Sequence, residues 1–224
     1  MKMYLYGGYL KECERLYKEA SFFNNDVIYN GLLSGNINVV KWLNSKISLD
    51  KVEYMFVPAR NGFYDLMVYF YTMGIMPDTR VMWNAIDMEQ VEIVDYLLEI
   101  KCEVSDFELE HSILVGNLKI IQMLLDAGYI YHNNCLVIAC ESHNNAIVEY
   151  LVKCGCELTE ECLERALRAN CIETIYYLIK KGVIINNWSL YYAVLFCAMG
   201  VLVFIKQWSR FIPICYLAAI RKKS

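Results

Sequence analysis

Moving along the chain in steps of 27 residues returns to an apolar side chain in three separate columns, and no other sequence feature constrains the fold as tightly. One column reads Ile28, Met55, Met82, Leu109, Leu136, Leu163, Leu190 and Leu217. A second runs from Cys13 through Val40 and Val94 to Leu202, and a third from Leu16 through Phe70 and Leu124 to Ile205. With 57% of the chain apolar, chance would fill all three columns about once in a million trials. The step holds without insertion or deletion. A fixed period of this size means one supersecondary unit repeated, each copy too small to bury its apolar face alone and therefore stacked on its neighbours.

Small residues keep the same register and divide each unit. Gly8, Gly35, Gly62 and Gly116 share one column, with Glu89, His143, Asn170 and Cys197 as its exceptions. Gly74, Gly128, Gly155 and Gly182 share another, placed where a helix needs a left-handed residue to stop. Four residues later comes a column of Asn24, Lys51, Asp78, Ser105, His132, Thr159 and Asn186, of which most can cap a following helix. Ser105 and Glu108 have the spacing of a capping box. Each unit is thus predicted to be two short helices, for example near 159–169 and 171–181, in an antiparallel hairpin. Seven first helices and eight second helices are expected, with Pro213 to Ile220 as a terminal half-repeat. Pro58 falls inside a first helix and should bend or shorten it. The fold class expected is an all-α solenoid of stacked helix pairs: one domain over residues 1–224, about seven to eight repeats, with 186–224 an unusually apolar C-terminal repeat and cap.

The second helix reads Gly35-Asn36-Ile37-Asn38-Val39-Val40-Lys41-Trp42-Leu43, and again Gly116-Asn117-Leu118-Lys119-Ile120-Ile121 through to Gly128. This resembles the ankyrin repeat, as do Asn145 to Gly155 and Glu173 to Gly182; the small column Ala85, Ser112, Ala139, Ala166 and Ala193 is similar to the family's first-helix alanine. An ankyrin unit has about 33 residues. The roughly six missing here fall where the family carries its T-P-L-H turn and β-hairpin finger, so the resemblance is to short-turn arrays of the kind found in large DNA viruses and some protists. What it implies is a protein-binding scaffold gripping its partner with the concave face built by the first helices. On that face the resemblance places Asn30, Asn84, His111 and Arg165 in one column, Arg60, Asp87, Glu141 and Arg168 three residues on, and Asn61 and Ser142 directly after. These positions vary in charge and size, as a partner-reading or merely solvated face would.

Catalytic chemistry finds little support. The three histidines, 111, 132 and 143, have no metal-binding spacing. Cys154, Cys156, Cys162 and Cys171 cluster in sequence, but without a C-x-x-C pair they read as small buried thiols in preference to a zinc site. No phosphate loop or G-x-S-x-G is present. Glu160 and Glu161 suit the start of a helix. Tyr69, Tyr96, Tyr150 and Tyr177, in one second-helix column with Trp42 and Met123, suit packing between repeats. No cofactor and no metal are expected. With 21 basic against 25 acidic residues and a net charge of -4, nucleic acid is not an expected partner. Ten cysteines without a signal-like N-terminal segment point to reduced thiols and a cytoplasmic setting, the host's if the chain is viral, and a monomer is expected.

An alternative comes from Leu190 to Ile205, which carries no charge and is followed by a basic tail at Arg221, Lys222 and Lys223. A membrane-associated adaptor anchored through 190–220 would use this segment. A bilayer span takes roughly 20 such residues, and the run stays in repeat register, so a buried cap or docking end is the first reading.

Overall fold

The computed structural model describes residues 10–20 and 25–186, with the single positions 7, 189 and 192. The last expected first helix, the eighth second helix and the terminal half-repeat lie outside these residues. Seven second helices are described: α1 (Leu10–Ala20), α3 (Ile37–Lys46), α5 (Tyr64–Thr72), α7 (Val91–Glu99), α9 (Leu118–Asp126), α11 (Asn145–Lys153) and α13 (Ile172–Lys180). Their first residues advance by a constant 27. The first helices are α2 (Asn25–Leu33), a 3₁₀ turn at Val52–Met55 leading into α4 (Phe56–Asn61), α6 (Thr79–Asp87), α8 (Asp106–Val115), α10 (Asn133–Ala139) and α12 (Glu160–Arg168), advancing by the same step. Among the described residues there is no strand, so no β-hairpin finger interrupts the links between helices.

The chain forms two compact units, one of residues up to His111 with Gln122–Ala127, the other of Ser112–Ile121 with the residues from Gly128 onward. Each is a stack of antiparallel helix pairs. In the first, α2 packs on α3, α4 on α5 and α6 on α7, while first helices stack as α2, α4, α6 and second helices as α1, α3, α5, α7. In the second, the pairs α10 with α11 and α12 with α13 join through α10 on α12 and α11 on α13. The core is where the apolar columns meet. Cys13, Val40, Met67, Val94, Ile121, Val148 and Ile175 are all fully buried, as are Leu43, Phe70, Leu97, Leu124, Leu151 and Leu178. Gly31, Pro58, Ala85, Ser112, Ala139 and Ala166 occupy one buried column where paired helices come closest. A methyl group on Gly31 would overlap Leu43.

Both helices of a unit end the same way. After α5, Gly74 N–H donates to the Tyr71 carbonyl (2.9 Å) and Ile75 N–H to that of Phe70 (3.2 Å), a Schellman closure. Lys101 and Cys102, Gly155 and Cys156, and Gly182 and Val183 repeat it. The left-handed residue is glycine at 74, 128, 155 and 182, with φ between 86° and 99°. It is also left-handed where glycine is missing: Lys101 has φ 58°, and Glu89, His143 and Asn170, the exceptions of the other glycine column, have φ 53–57°. The geometry therefore belongs to the turn, whatever residue fills it. Ile47 departs, with φ -138°; there the Asn44 side chain accepts from Leu49 N–H at 2.9 Å instead.

Capping follows the expected column in part. Asp78 accepts from the amides of Arg80 and Val81, and Asn186 accepts from that of Ser189 at 2.8 Å. The Ser105–Glu108 box forms, with Ser105 N–H donating to the Glu108 carboxylate at 2.7 Å and the Ser105 hydroxyl accepting from Phe107 N–H at 3.3 Å. Thr159 stands at the N-cap of α12 without a capping bond and Lys51 offers none, while Asn24 lies outside the described residues. Two second helices have side-chain caps of their own: Asn36 accepts from Asn38 N–H and Asn117 from Lys119 N–H. A Gly-Asn pair thus ends one helix and starts the next. Pro58 shortens its helix as expected, since it cannot donate to Tyr54; residues 52–55 wind as a 3₁₀ turn, leaving α4 six residues.

Because a left-handed non-glycine residue costs about 1 kcal/mol, Lys101→Gly should stabilise the chain by roughly 0.5–1 kcal/mol. A Cβ at Gly128 would meet nothing within 4 Å, so Gly128→Ala isolates the backbone effect and should cost about 1 kcal/mol. Urea denaturation reads both, and a neutral Gly128→Ala would contradict the assigned turn.

Candidate protein-binding face

The first helices present the two variable columns at adjacent turns, and stacking brings them together. A residue of the second column lies beside the residue 24 positions later, one repeat on and one helical turn back. Arg60 on α4 reaches Asn84 on α6 at 3.4 Å and, one repeat on, Asp87 at 3.7 Å. Asp87 in turn lies 3.3 Å from His111 Nε2, although that nitrogen, shielded from water, is not aligned for a hydrogen bond. The His111 ring stacks on Trp83, centroids 4.3 Å apart and planes 15° from parallel. Arg60, Asn84, Asp87 and His111 are thus one group on α4, α6 and α8 within the first unit.

In the second unit the same step pairs Glu141 with Arg165, which also reaches Glu161 at 3.4 Å. Arg168 lies over the Tyr192 ring at 5.7 Å. The remaining candidates bond to their own helices: Asn30 donates to the Asp26 carbonyl, Asn61 to that of Val57 and Ser142 to that of Ala139, at 2.6–2.8 Å. Ser142 also opens on a polar groove lined by Gly116, His143, Asn144, Asn145, Glu149 and Glu173, where Asn144 donates to the Gly116 carbonyl at 3.1 Å. Much of the variation along these columns is therefore matched variation: where one repeat carries an acid, the next carries its base or histidine.

Sequence reasoning passed over another column of the same helices. Tyr29, Phe56 and Trp83 are spaced by 27, and Tyr29 and Trp83 are exposed, at 53% and 39%. Counting aromatics at the repeat step would have found them. The aromatic column of the second helices packs between repeats: Tyr96 meets Tyr64 and Tyr71 edge-on at 5.2 and 6.2 Å, and Asn44 donates to the Tyr69 hydroxyl.

The eight described cysteines are free thiols, and all but Cys154 are buried. Burial pushes Cys102 and Cys156 up to about 12 and raises Cys171. Cys162 is drawn down to about 6 by hydrogen bonds from Cys140 and then Thr159, yet no part of it is exposed. No group of His, Cys, Asp or Glu among the described residues could hold a metal ion. No described helix is long and apolar enough to cross a membrane, and the segment 190–220 lies outside the described residues apart from Tyr192.

Two outcomes follow from these contacts. A double-mutant cycle on Glu141 and Arg165, whose side chains are about 40% exposed, should give a favourable coupling below about 1 kcal/mol; zero coupling would dissolve the pairing between repeats. Iodoacetamide on the folded chain, read by mass spectrometry across the eight described cysteines, should label Cys154 first. Labelling of Cys162 at a comparable rate would contradict its burial.

The sequence matches no protein-family model and no curated protein. Among solved structures, the chain is similar to the crystal structure of the human ASB11 ankyrin repeat domain, with a TM-score of 0.54 and 14% identity over 62% of this chain and 76% of that one. The shared feature is the fold: this chain is built of ankyrin-like repeats, all-α helix pairs stacked on one another.

Proposed function

We propose that the chain is a non-enzymatic protein-interaction scaffold or adaptor that holds its partner on the face of its first helices. The observation that carries this is an ankyrin-like stack with an apolar core, while the first helices leave polar and aromatic side chains on an accessible face. The constant 27-residue step supports placing it with the short-turn ankyrin-like arrays of large DNA viruses. Free, largely buried thiols suit a reducing cytoplasm, the host's in that case. The net charge of -4 argues against nucleic acid as partner, and a monomer suffices for a scaffold of this kind. The uncharged run from Leu190 favours a second reading, a membrane-associated adaptor, and this one predicts that the chain partitions to vesicles and stops doing so when truncated after Gly182.

The test combines capture of a partner on the full chain with crosslink mapping. Crosslinks should fall on first-helix residues such as Asn30, Arg60, Asn61, Asn84, Asp87, His111, Ser142 and Arg168; a map confined to the second helices would overturn the assignment. In the triple variant E141R/R165E/R168E the pair between repeats is exchanged, but R165E sets an acid beside Glu161 and R168E removes the cation over Tyr192, so stability should fall by about 1 kcal/mol, and affinity is compared on chain that circular dichroism shows to be folded. Affinity for the captured partner should fall at least about tenfold. Unchanged affinity would remove Glu141, Arg165 and Arg168 from the binding face.

A further inference from the structure

Among the seven described second helices, only α7 has acids at all three of the positions held by Glu92, Asp95 and Glu99. The same columns read Asp65, Val68 and Thr72 one repeat back, and Lys119, Gln122 and Asp126 one repeat on. Spacings of three and four residues set the three side chains in one row about 10 Å long. All three are exposed, and none has a hydrogen bond or ion pair among the described residues. The row does not serve its own helix. Like charges at these spacings repel, and Glu99 sits in the last turn, at the negative end of the helix dipole.

Beside the row, within the first unit, lies a hollow of about 280 Å³ lined by Tyr64 of α5 and by Glu92, Asp95, Tyr96 and Glu99 of α7. The Tyr64 ring meets that of Tyr96 at 5.2 Å between centroids and is still 41% exposed. Tyr96 is only 9% exposed, yet its hydroxyl makes no hydrogen bond to a described residue. Burial, then Tyr64 and Tyr71, and then the Glu99 charge raise Tyr96, so its phenol stays protonated and neutral. Three carboxylates, an exposed aromatic ring and an unpaired phenolic oxygen thus share one hollow with no basic residue in its lining. The carboxylates do not converge as a metal site requires, so the chemistry they match is that of an organic cation.

We propose that this face of α7 docks a basic segment of a protein partner, one ammonium or guanidinium entering the hollow beside Tyr64 and Tyr96 and further cations lying along Glu92, Asp95 and Glu99. Such a head group interacts at once with the aromatic ring, the phenolic oxygen and the carboxylates. A segment with basic residues at alternate positions of an extended chain, or seven apart on a helix, spans the row. The site goes beyond the first-helix face and stands independently of the scaffold reading, because it lies on second helices.

The test is selection of a random peptide display library on the immobilised full-length chain at physiological salt, with counter-selection on the E92Q/D95N/E99Q variant. Enriched peptides should carry lysine or arginine, and replacing those residues by glutamine should weaken binding about tenfold. Tyr96→Phe, which keeps the ring and removes only the hydroxyl, and Tyr64→Leu should each weaken binding about threefold. Unchanged binding by both would overturn the hollow as a seat. Neutralising a self-repelling row should leave the melting temperature at or above the parent's, and Tyr96→Phe reads the site without touching the row. The variant D50N/E103Q/E157Q removes the same charge from exposed positions outside the row and should bind within about twofold of the parent; an equal loss there would reduce the attraction to net charge and overturn the site. No enriched peptide, or enriched peptides without basic residues, also overturns the site and leaves the first-helix face to its own crosslink test. In R221Q/K222Q/K223Q, peptide affinity should match the parent's; a gain of several-fold would assign the row to the chain's own basic tail and overturn the separate partner.

Discussion

The left-handed residue that closes most of the described helices is the constraint on which the rest of this structure depends. Helices of nine or ten residues are marginal alone, since nucleation fixes several dihedrals for one hydrogen bond. They persist here because each stops at a set place and sends the chain back along its partner, and the stop is a Schellman closure requiring φ near +60° to +100°. Moved by one residue, a stop would rotate the next helix by about 100° and turn its apolar column away from the core. Among the described residues, four non-glycine residues accept left-handed geometry, at a cost of up to about 1 kcal/mol each, which shows that holding the register outweighs the local strain.

Most of this was legible from the chain. The apolar columns marked the core, and nearly every member described is buried; the glycine columns marked the turns and Pro58 the shortened helix. Individual cap bonds were less legible, because a residue such as Thr159 can hold the N-cap position while its hydroxyl goes elsewhere, here to within 3.4 Å of the Cys162 sulfur. Ile47 was illegible for a related reason. Its neighbour Asn44 supplies the carbonyl that a left-handed closure would otherwise organise, and nothing in the repeat signals that exchange.

The candidate face was legible as a set of positions but not as a set of contacts. Reading down a column compares residues 27 apart, whereas side chains on stacked helices meet at 24, a repeat less one helical turn of lean. Arg60 with Asn84, Asp87 with His111, Glu141 with Arg165 and Arg168 with Tyr192 all obey the second interval. Several unlike residues in one column are thus compensated by the next repeat. Such exposed pairs contribute little to stability individually, yet they favour the correct neighbour over a shifted one, since a slip of one repeat within the first unit would set Arg60 beside His111.

Matched variation and recognition are therefore separable on this surface. A side chain already engaged with the neighbouring repeat must break that contact to bind a partner, so its net contribution to affinity is the difference between two similar interactions. A side chain with no such lateral match contributes its interaction undiminished. On the first helices of the first unit, Phe56 is already covered by Arg80 and Trp83 by His111, whereas the Tyr29 ring is more than half exposed. Charge variation along the helices is thus directed mainly inward, at assembly of the stack. The outward signal lies where a repeat leaves an aromatic ring exposed, as at Tyr29.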